Sequence, residues 1–447
     1  MVNFYMERDN GIASATGLLE SIIGDLSRIM DDGGFVGRHR QGAKSFMRKR
    51  VFSFRVLVCF LMTNLQKGLQ REIALFCEAI LSSGGSLPEV DKSAFCKARR
   101  KLKHSAFVEL SDVVVQRFYG SAAPRQWKGF RLLGVDGSTL QLPRSPEIQQ
   151  HFGVYQRRGD GRAVCLGRSL LLYDTINHLT LQAMLGPMKD SEATMLWNCL
   201  PDLSLQPNDL LIFDRYYASH LLFFYLQHRG VQFCFRMKTS WWKVVTDFCA
   251  SGRSSALITL ELPAEDRPGA AVLGISQSQL RVRLVRVELG NAEVEVLLTS
   301  LLDEARYSVA DLKDLYYWRW PVEEAYKVFK HRVCVENFSG KTLESVLQDF
   351  HVKLFIMNLT AAAVQPLNEA LKKPSVKVKH HRQINLTEAL FSLKKAVVAF
   401  FVTNEVTKAL KTFLNRIARI TEPIRKNRKN KRYRLPKRKH YMTYKPL

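Results

Sequence analysis

Two short apolar runs, each closed by an aspartate, constrain the fold of this chain most. The first is Arg131-Leu132-Leu133-Gly134-Val135-Asp136, followed by Gly137-Ser138; the second is Asp209-Leu210-Leu211-Ile212-Phe213-Asp214. Apolar runs of this length bounded by turn residues read as buried strands, and each delivers an acid at its C-terminal end. Between them, Ser169 to Asp174 and His178 to Met184 read as a hairpin turning near Thr175-Ile176-Asn177, and Asp190 to Leu200 as a helix. After them come a helix, His220 to His228, and a strand, Val231 to Phe235. Strands alternating with helices indicate an α/β core around a mixed sheet.

The flanks differ. A chain of 447 residues holds more than one folding unit. Residues 1–125 read as helical: Leu18, Leu19, Ile22, Ile23 and Leu26 recur at helical spacing, and Phe52 to Leu65 and Ile73 to Leu81 suggest further buried helices. After Gly84-Gly85, the stretch Ser93 to Leu102 reads as a short helix with Phe95 and Leu102 on its apolar side. Lys97, Arg99, Arg100 and Lys101 surround the rest, as on the second helix of a helix-turn-helix entering a DNA groove. Residues 239–304 carry a β pattern. Gln279 to Leu289 and Glu293 to Val296 flank Gly290-Asn291, a hairpin signal, so a small antiparallel unit is expected as an insertion into the core. Helices then resume over Ser308 to Arg332, Leu343 to Ala363 and Leu386 to Arg419. The expected organisation is a helical DNA-binding region (1–125), a first core part (126–238), a β-rich insertion (239–304), a second core part (305–365) and a helical, basic C-terminal region (366–447).

Charge points to the partner. The formal net charge is +26 and the pI is near 9.8, the signature of a protein that meets a polyanion, most often nucleic acid. Ten of those charges lie between Arg425 and Lys439, a run without an acid, so the rest of the chain stays basic without its tail. A membrane partner is not expected: the most apolar stretch, Val51 to Leu65, contains Arg55 and is too short to span. The eight cysteines form no Cys-x-x-Cys pair, and His331 near Cys334 lacks a second ligand pair for zinc. Scattered free thiols and an N-terminus without a charged-then-apolar leader fit a cytoplasmic protein associated with the nucleoid.

The chemistry is concentrated in Tyr316-Tyr317-Trp318-Arg319-Trp320-Pro321-Val322-Glu323-Glu324-Ala325-Tyr326-Lys327-Val328-Phe329-Lys330. On one continuous helix Tyr316, Arg319, Glu323 and Lys330 would sit at roughly 0°, −60°, −20° and −40°, a single narrow face. Pro321 lies within it and should kink the helix or start a new segment. Asp136, Asp214 and Glu323 together form the kind of all-oxygen set that Mg²⁺ takes. Two Mg²⁺ ions sharing Asp136, with Asp214 and Glu323 each completing one side, suit phosphodiester chemistry. Arg319 and Lys330 would then hold phosphates, with Tyr316 positioning or stacking near one. Asp174, Asp190, Glu192 and Asp311 are competing acids.

The spacing Tyr-x2-Arg-x3-Glu-x6-Lys resembles the YREK signature of DDE insertion-sequence transposases, in the family founded on insertion sequence four. Val135-Asp136-Gly137-Ser138, Phe213-Asp214-Arg215-Tyr216-Tyr217 and Val335-Glu336-Asn337-Phe338-Ser339-Gly340-Lys341-Thr342 are similar to that family in the same order. The resemblance implies an RNase H-like core with a β-rich insertion between the second aspartate and the glutamate. It implies cut-and-paste transposition through a hairpin intermediate, with Mn²⁺ accepted in place of Mg²⁺. The implied partners are terminal inverted repeats and target DNA, bound by a homodimer in the synaptic complex. It also implies that Arg236 and Lys238 contact DNA. The hairpin-forming relatives stack a flipped base on a tryptophan of an insertion strand. Glu293 to Ser300 has none here, which leaves Trp241 and Trp242 as stacking candidates.

Two other readings stand beside transposition: a transposase-derived DNA-binding repressor, and an RNase H-like nuclease that cuts without joining. For any of the three, removing the tail from Arg425 onward should weaken DNA binding and flatten its salt dependence, by about 0.9 in log–log slope for each phosphate the tail neutralises. An unchanged slope in a salt titration would show that the tail does not touch DNA.

Overall fold

The computed structural model describes residues 2–48, 50–88, 90–121, 124–156, 161, 163–288, 294–371, 381–403 and 405–424. The basic tail from Arg425 to Lys439 and the Gly290-Asn291 turn lie outside the described residues. The chain divides into two compact units, one of residues 1–124, 141–166 and 327–447, the other of residues 125–140 and 167–326.

The first unit is helical, as expected for both flanks. Its N-terminal part contains helices Val2–Asp31, Gly33–His39, Phe54–Met62, Leu69–Ser82, Lys92–Arg99 and Ser105–Tyr119. Local chemistry sets their starts: Ser53 and Asp91 accept backbone N–H bonds as N-caps of two of them. The long helix Leu343–Ala370 opens with a Thr342–Ser345 capping box and is buried on nearly all sides, the pattern of a central core helix. No helix among the described residues is long and apolar enough to cross a membrane. The expected helix Leu386 to Arg419 forms as two, Leu386–Phe401 and Val406–Arg419.

One residue of the candidate DNA-reading helix belongs to this interior. Arg99 is buried. Its guanidinium donates to Gln348 Oε1 at 2.7 Å, Ser339 Oγ at 2.6 Å, Ser345 O at 2.7 Å and Asp349 Oδ1 at 2.8 Å. The expectation that Arg99 contacts DNA is therefore corrected. A guanidinium desolvated to this degree is held by a matching carboxylate and carbonyls, and helical spacing alone does not reveal a partner so distant in sequence.

The second unit holds most of a mixed sheet. The strands of that sheet are β1 (Arg131–Leu142), β2 (Tyr155–Gln156), β3 (Ala163–Asp174), β4 (Leu179–Pro187), β5 (Asp209–Phe213), β6 (Gln232–Met237), β7 (Ser255–Glu261), β8 (Gln279–Glu288) and β9 (Val294–Thr299). The order is β2-β3-β1-β5-β6-β9-β8-β7, with β4 on β3. The expected hairpin forms as β3 and β4, antiparallel, closed by Asp174, whose carboxylate accepts from Ile176 N and Asn177 N. β1, β5 and β6 are parallel neighbours. Hairpin, then parallel strands, gives a mixed α/β core. The strands of the β-rich block, β7, β8 and β9, pair antiparallel with one another. β9 pairs directly with β6, from Cys234↔Thr299 to Met237↔Val296, so the block prolongs the core sheet.

Both faces of β1 and β5 are covered. Leu133, Val135, Leu211 and Phe213 enter one apolar cluster with helix His220–His228. Leu132, Leu210 and Ile212 enter another with Leu312, Leu315 and Tyr316. Near-continuous apolar runs are what a parallel strand covered on both faces requires. At the start of the pair, Arg131 donates from Nε and Nη2 to the two carboxylate oxygens of Asp209, at 2.6 and 2.7 Å, across directly paired positions. Asp209 is fully buried. Asp209→Ala should cost roughly 3–5 kcal/mol by stranding that guanidinium, measured by chemical denaturation; a loss under about 1 kcal/mol would show that the pair does not hold the strands.

Candidate active site

β1 and β5 run parallel with Arg131 opposite Asp209 and Gly134 opposite Ile212. Asp136 and Asp214 lie two residues beyond the last pair, so the register sends both acids from adjacent strands in one direction. Neighbouring strands lie about 4.8 Å apart. Asp136 does not end its strand: β1 continues to Leu142, past the end of β5. Asp214 caps the short 3₁₀ turn Arg215–Tyr217, accepting from Arg215 N through Oδ1 at 2.8 Å.

Glu323 arrives on a helix pressed against the same strand. Val322, the residue preceding Glu323, packs next to β1 at Gly134: a Cβ there would lie 3.5 Å from Val322 Cβ, an ordinary contact, but 2.9 Å from Thr175 Cγ2, so it is Thr175 for which the glycine makes room. Tyr326, one turn on, places its hydroxyl 3.2 Å from the Asp136 carbonyl and 3.0 Å from that of Ser169. The helix expected over Ser308 to Arg332 forms as two, with the new segment that Pro321 was expected to start: Val309–Tyr317 ends and Trp320–His331 begins, with Pro321 in the first turn of the second. Proline's missing N–H costs nothing there. Tyr316 therefore stands on a different helix from Glu323 and Lys330, and the common face holds only for the residues after the break. Lys330 is half-buried on the part of the helix that belongs to the helical unit.

Arg319, in the break, is buried and donates from Nη2 to Glu323 Oε1 at 2.6 Å. Its guanidinium carbon lies 5.1 Å from the centre of the Trp320 ring and 5.8 Å from that of Tyr316. Arg319 Nε and the Tyr316 hydroxyl are buried without a hydrogen-bond partner among the described residues. Two unsatisfied donors on adjacent buried side chains are an uncommon arrangement.

Burial pushes the Asp136 carboxyl up to about 7; the Gly137 N–H and Arg319 oppose this, while Glu192 and Glu323 add to it. Among the described residues, no three His, Cys, Asp or Glu side chains are gathered closely enough to hold a metal ion. Arg319 draws one oxygen of Glu323 to itself. The donors fit a hard divalent cation in kind, being carboxylates on adjoining backbone positions, one of them kept from easy ionisation by burial and like charge.

Sequence reasoning left Glu192 among several acids, and the structure separates them. Asp174 closes the β3–β4 turn, and Asp311 completes a capping box with Ser308 and pairs with Lys128 at 2.8 Å. Glu192 instead stands beside Asp136, accepting from the Tyr217 hydroxyl at 3.0 Å. Tyr217 and Tyr326 were visible only as aromatic neighbours of the two motifs.

The candidate DNA contacts divide. Lys97, Arg100 and Lys101 are exposed, whereas Arg99 is committed to the core. Arg236 pairs with Glu295 at 3.0 Å. Lys238 is exposed, with its ammonium 5.7 Å from the Trp241 ring centre. Trp241 is 59% exposed. The Trp242 ring is covered: His220 lies flat on it at 4.1 Å, and the indole packs on the core.

A carboxyl raised in this way favours the folded chain while it is protonated, and that contribution is lost as pH rises through the raised value of about 7. Without metal, Asp136→Asn should therefore melt above the parent chain at about pH 8, with the gap closing by about pH 4. A gap independent of pH in thermal melts would contradict the assigned burial of this charge.

Residues 127–359 match a protein-family model described as a transposase DDE domain. The transposase InsG for insertion sequence element IS4 of Escherichia coli (strain K12) is 25% identical over 294 residues, which is 64% of this chain and 64% of that protein. The chain thus aligns with just under two thirds of that relative's length. The piggyBac transposase, solved by cryo-EM as a synaptic complex with hairpin DNA, aligns over 91% of this chain and 85% of that one, with 11% identity and a TM-score of 0.44. The matched family segment contains Asp136, Asp214 and the whole Tyr316-to-Lys330 region and takes in more than half of the chain, which belongs to the transposase DDE domain family.

Proposed function

We propose that this chain is a DNA transposase that cuts and joins transposon ends by divalent-metal-dependent phosphoryl transfer. The observation that carries this reading is the in-register pairing of β1 with β5, which brings Asp136 and Asp214 off adjacent strands beside the Glu323 helix. Membership of the transposase DDE domain family implies dependence on a divalent metal. In this reading Asp136, Asp214 and Glu323 hold two Mg²⁺, or Mn²⁺ in their place. Bound there, the cations neutralise charge on the scissile phosphodiester and polarise it.

The chain's own residues do the rest. Arg319 and Tyr316, each with an unpaired buried donor, bind the DNA backbone and orient it. Lys330 adds a cation on the Glu323 helix, about 10 Å further along its axis. Lys97, Arg100 and Lys101 grip the terminal repeat, and Lys238 flanks the exposed Trp241, which stacks on an unpaired base if the reaction passes through a hairpin. Arg236 must leave Glu295 to reach DNA. A homodimer presents one such centre to each transposon end, and the 3′-OH freed by the first cut attacks target DNA in line.

A supercoiled donor plasmid carrying the element's ends, with Mg²⁺, tests the reading. Excision with integration is expected. Asp136→Ala should abolish cleavage and leave specific DNA binding intact. Nicking without joining would replace transposition by a nuclease activity, binding without cutting by a repressor, and near-normal cleavage by the Asp136→Ala chain would remove the metal-site assignment.

A further inference from the structure

Glu192 opens the helix Glu192–Cys199, behind the N-cap Ser191. Its carboxylate is wedged between the two backbone segments that follow Asp136 and Asp214. On the first side it touches Gly137: a Cβ there would lie 2.1 Å from Glu192 Cδ and 2.5 Å from Oε1, so no other residue type fits without moving the glutamate. The Gly137 N–H is hydrogen-bonded to the Asp136 carboxylate. On the second side, Oε2 accepts from the Tyr217 hydroxyl at 3.0 Å. Tyr217 closes the turn that begins at Asp214, and the first amide of that turn, Arg215 N, donates to Asp214 Oδ1 at 2.8 Å. Arg168 Nη1, 3.6 Å from Oε1, balances the charge from behind.

We propose that Glu192 is a positioning residue of the active centre, a brace that fixes the peptides orienting Asp136 and Asp214 relative to one another. The inference rests on the metal-binding role assigned to those aspartates above. Each aspartate takes its orientation from the N–H of the next residue, Gly137 or Arg215. A single side chain touches Gly137 itself and, through Tyr217, the turn that contains Arg215. Glu192 touches neither substrate nor cation in this account. Its part is to keep the two carboxylates at the separation a shared cation needs, a spacing that the ends of two strands do not set alone, because β1 runs on beyond β5.

The test measures Mn²⁺ binding to the full chain by electron paramagnetic resonance of the free ion, alongside plasmid cleavage and DNA binding. E192A should weaken Mn²⁺ binding and cleavage together by about 10- to 100-fold, the usual effect of losing a group that orients metal ligands, with DNA binding unchanged. E192Q keeps the shape and an oxygen that accepts from Tyr217, and should restore both to near the parent level. Y217F keeps the carboxylate and ring packing, and should show a smaller loss in the same direction. G137A should mimic E192A by displacing the glutamate.

Parent-like Mn²⁺ affinity in E192A overturns the proposal, as does an E192Q chain as impaired as E192A, since charge would then matter and not position. If E192A does not fold, Y217F decides: unchanged Mn²⁺ binding there overturns the brace. D136A separates the two levels. Loss of Mn²⁺ in D136A with none in E192A sinks the brace alone, while no loss in D136A sinks the metal site beneath it.

Discussion

The bidentate contact between Arg131 and buried Asp209 sets the alignment on which the active centre depends. It joins directly opposed residues at the start of two parallel strands, so a slip by one residue would separate a buried carboxylate from its guanidinium. Such a slip would also turn every side chain of one strand to the other face. At the far end of the pairing, the same register delivers Asp136 beside Asp214. The candidate pair of aspartates inherits its alignment from a structural pair at the opposite end of the strands, and the apolar residues between serve the two clusters that clamp the sheet.

The third carboxylate depends on a different device. The helix break at Trp318-Arg319 lets a new helix begin at Trp320 and pack next to β1 at Gly134. Arg319 is left in the break, buried, with one donor on Glu323 and another unpaired. Asp136 carries the corresponding tension on the acidic side, since burial and two neighbouring glutamates resist its charge. In the proposed function a divalent cation would relieve that resistance, and a phosphate would answer the unpaired donors. The site is thus charged on both sides in a manner that suits a metal and a polyanion arriving together.

Much of this was legible in the sequence because it is written locally. The two apolar runs, the β3–β4 hairpin, the helical flanks and the YREK spacing each announce themselves within a short stretch of chain. The failures share a cause, which is that their partners are distant in sequence. Arg99 reads as one more cation on a basic helix until Asp349 and Gln348 close on it. Trp242 reads like Trp241 until His220 covers its face. Glu192 was one acid among four because nothing in the spacing of Gly137, Glu192 and Tyr217 shows that they touch. The continuity of the β-rich block with the core was hidden for the same reason: strand pairing between β6 and β9 joins segments about 60 residues apart.

The central claim is that Asp136, Asp214 and Glu323 converge on a divalent cation when DNA is present. Anomalous diffraction from crystals of the chain with transposon-end DNA and Mn²⁺ tests it most directly. The account predicts a metal peak within about 2.0–2.3 Å of oxygens from Asp136 and from Asp214 or Glu323, with Glu323 released from Arg319 and Arg319 turned to a phosphate. A peak held by other residues, or Glu323 still bonded to Arg319 beside bound DNA, would contradict it.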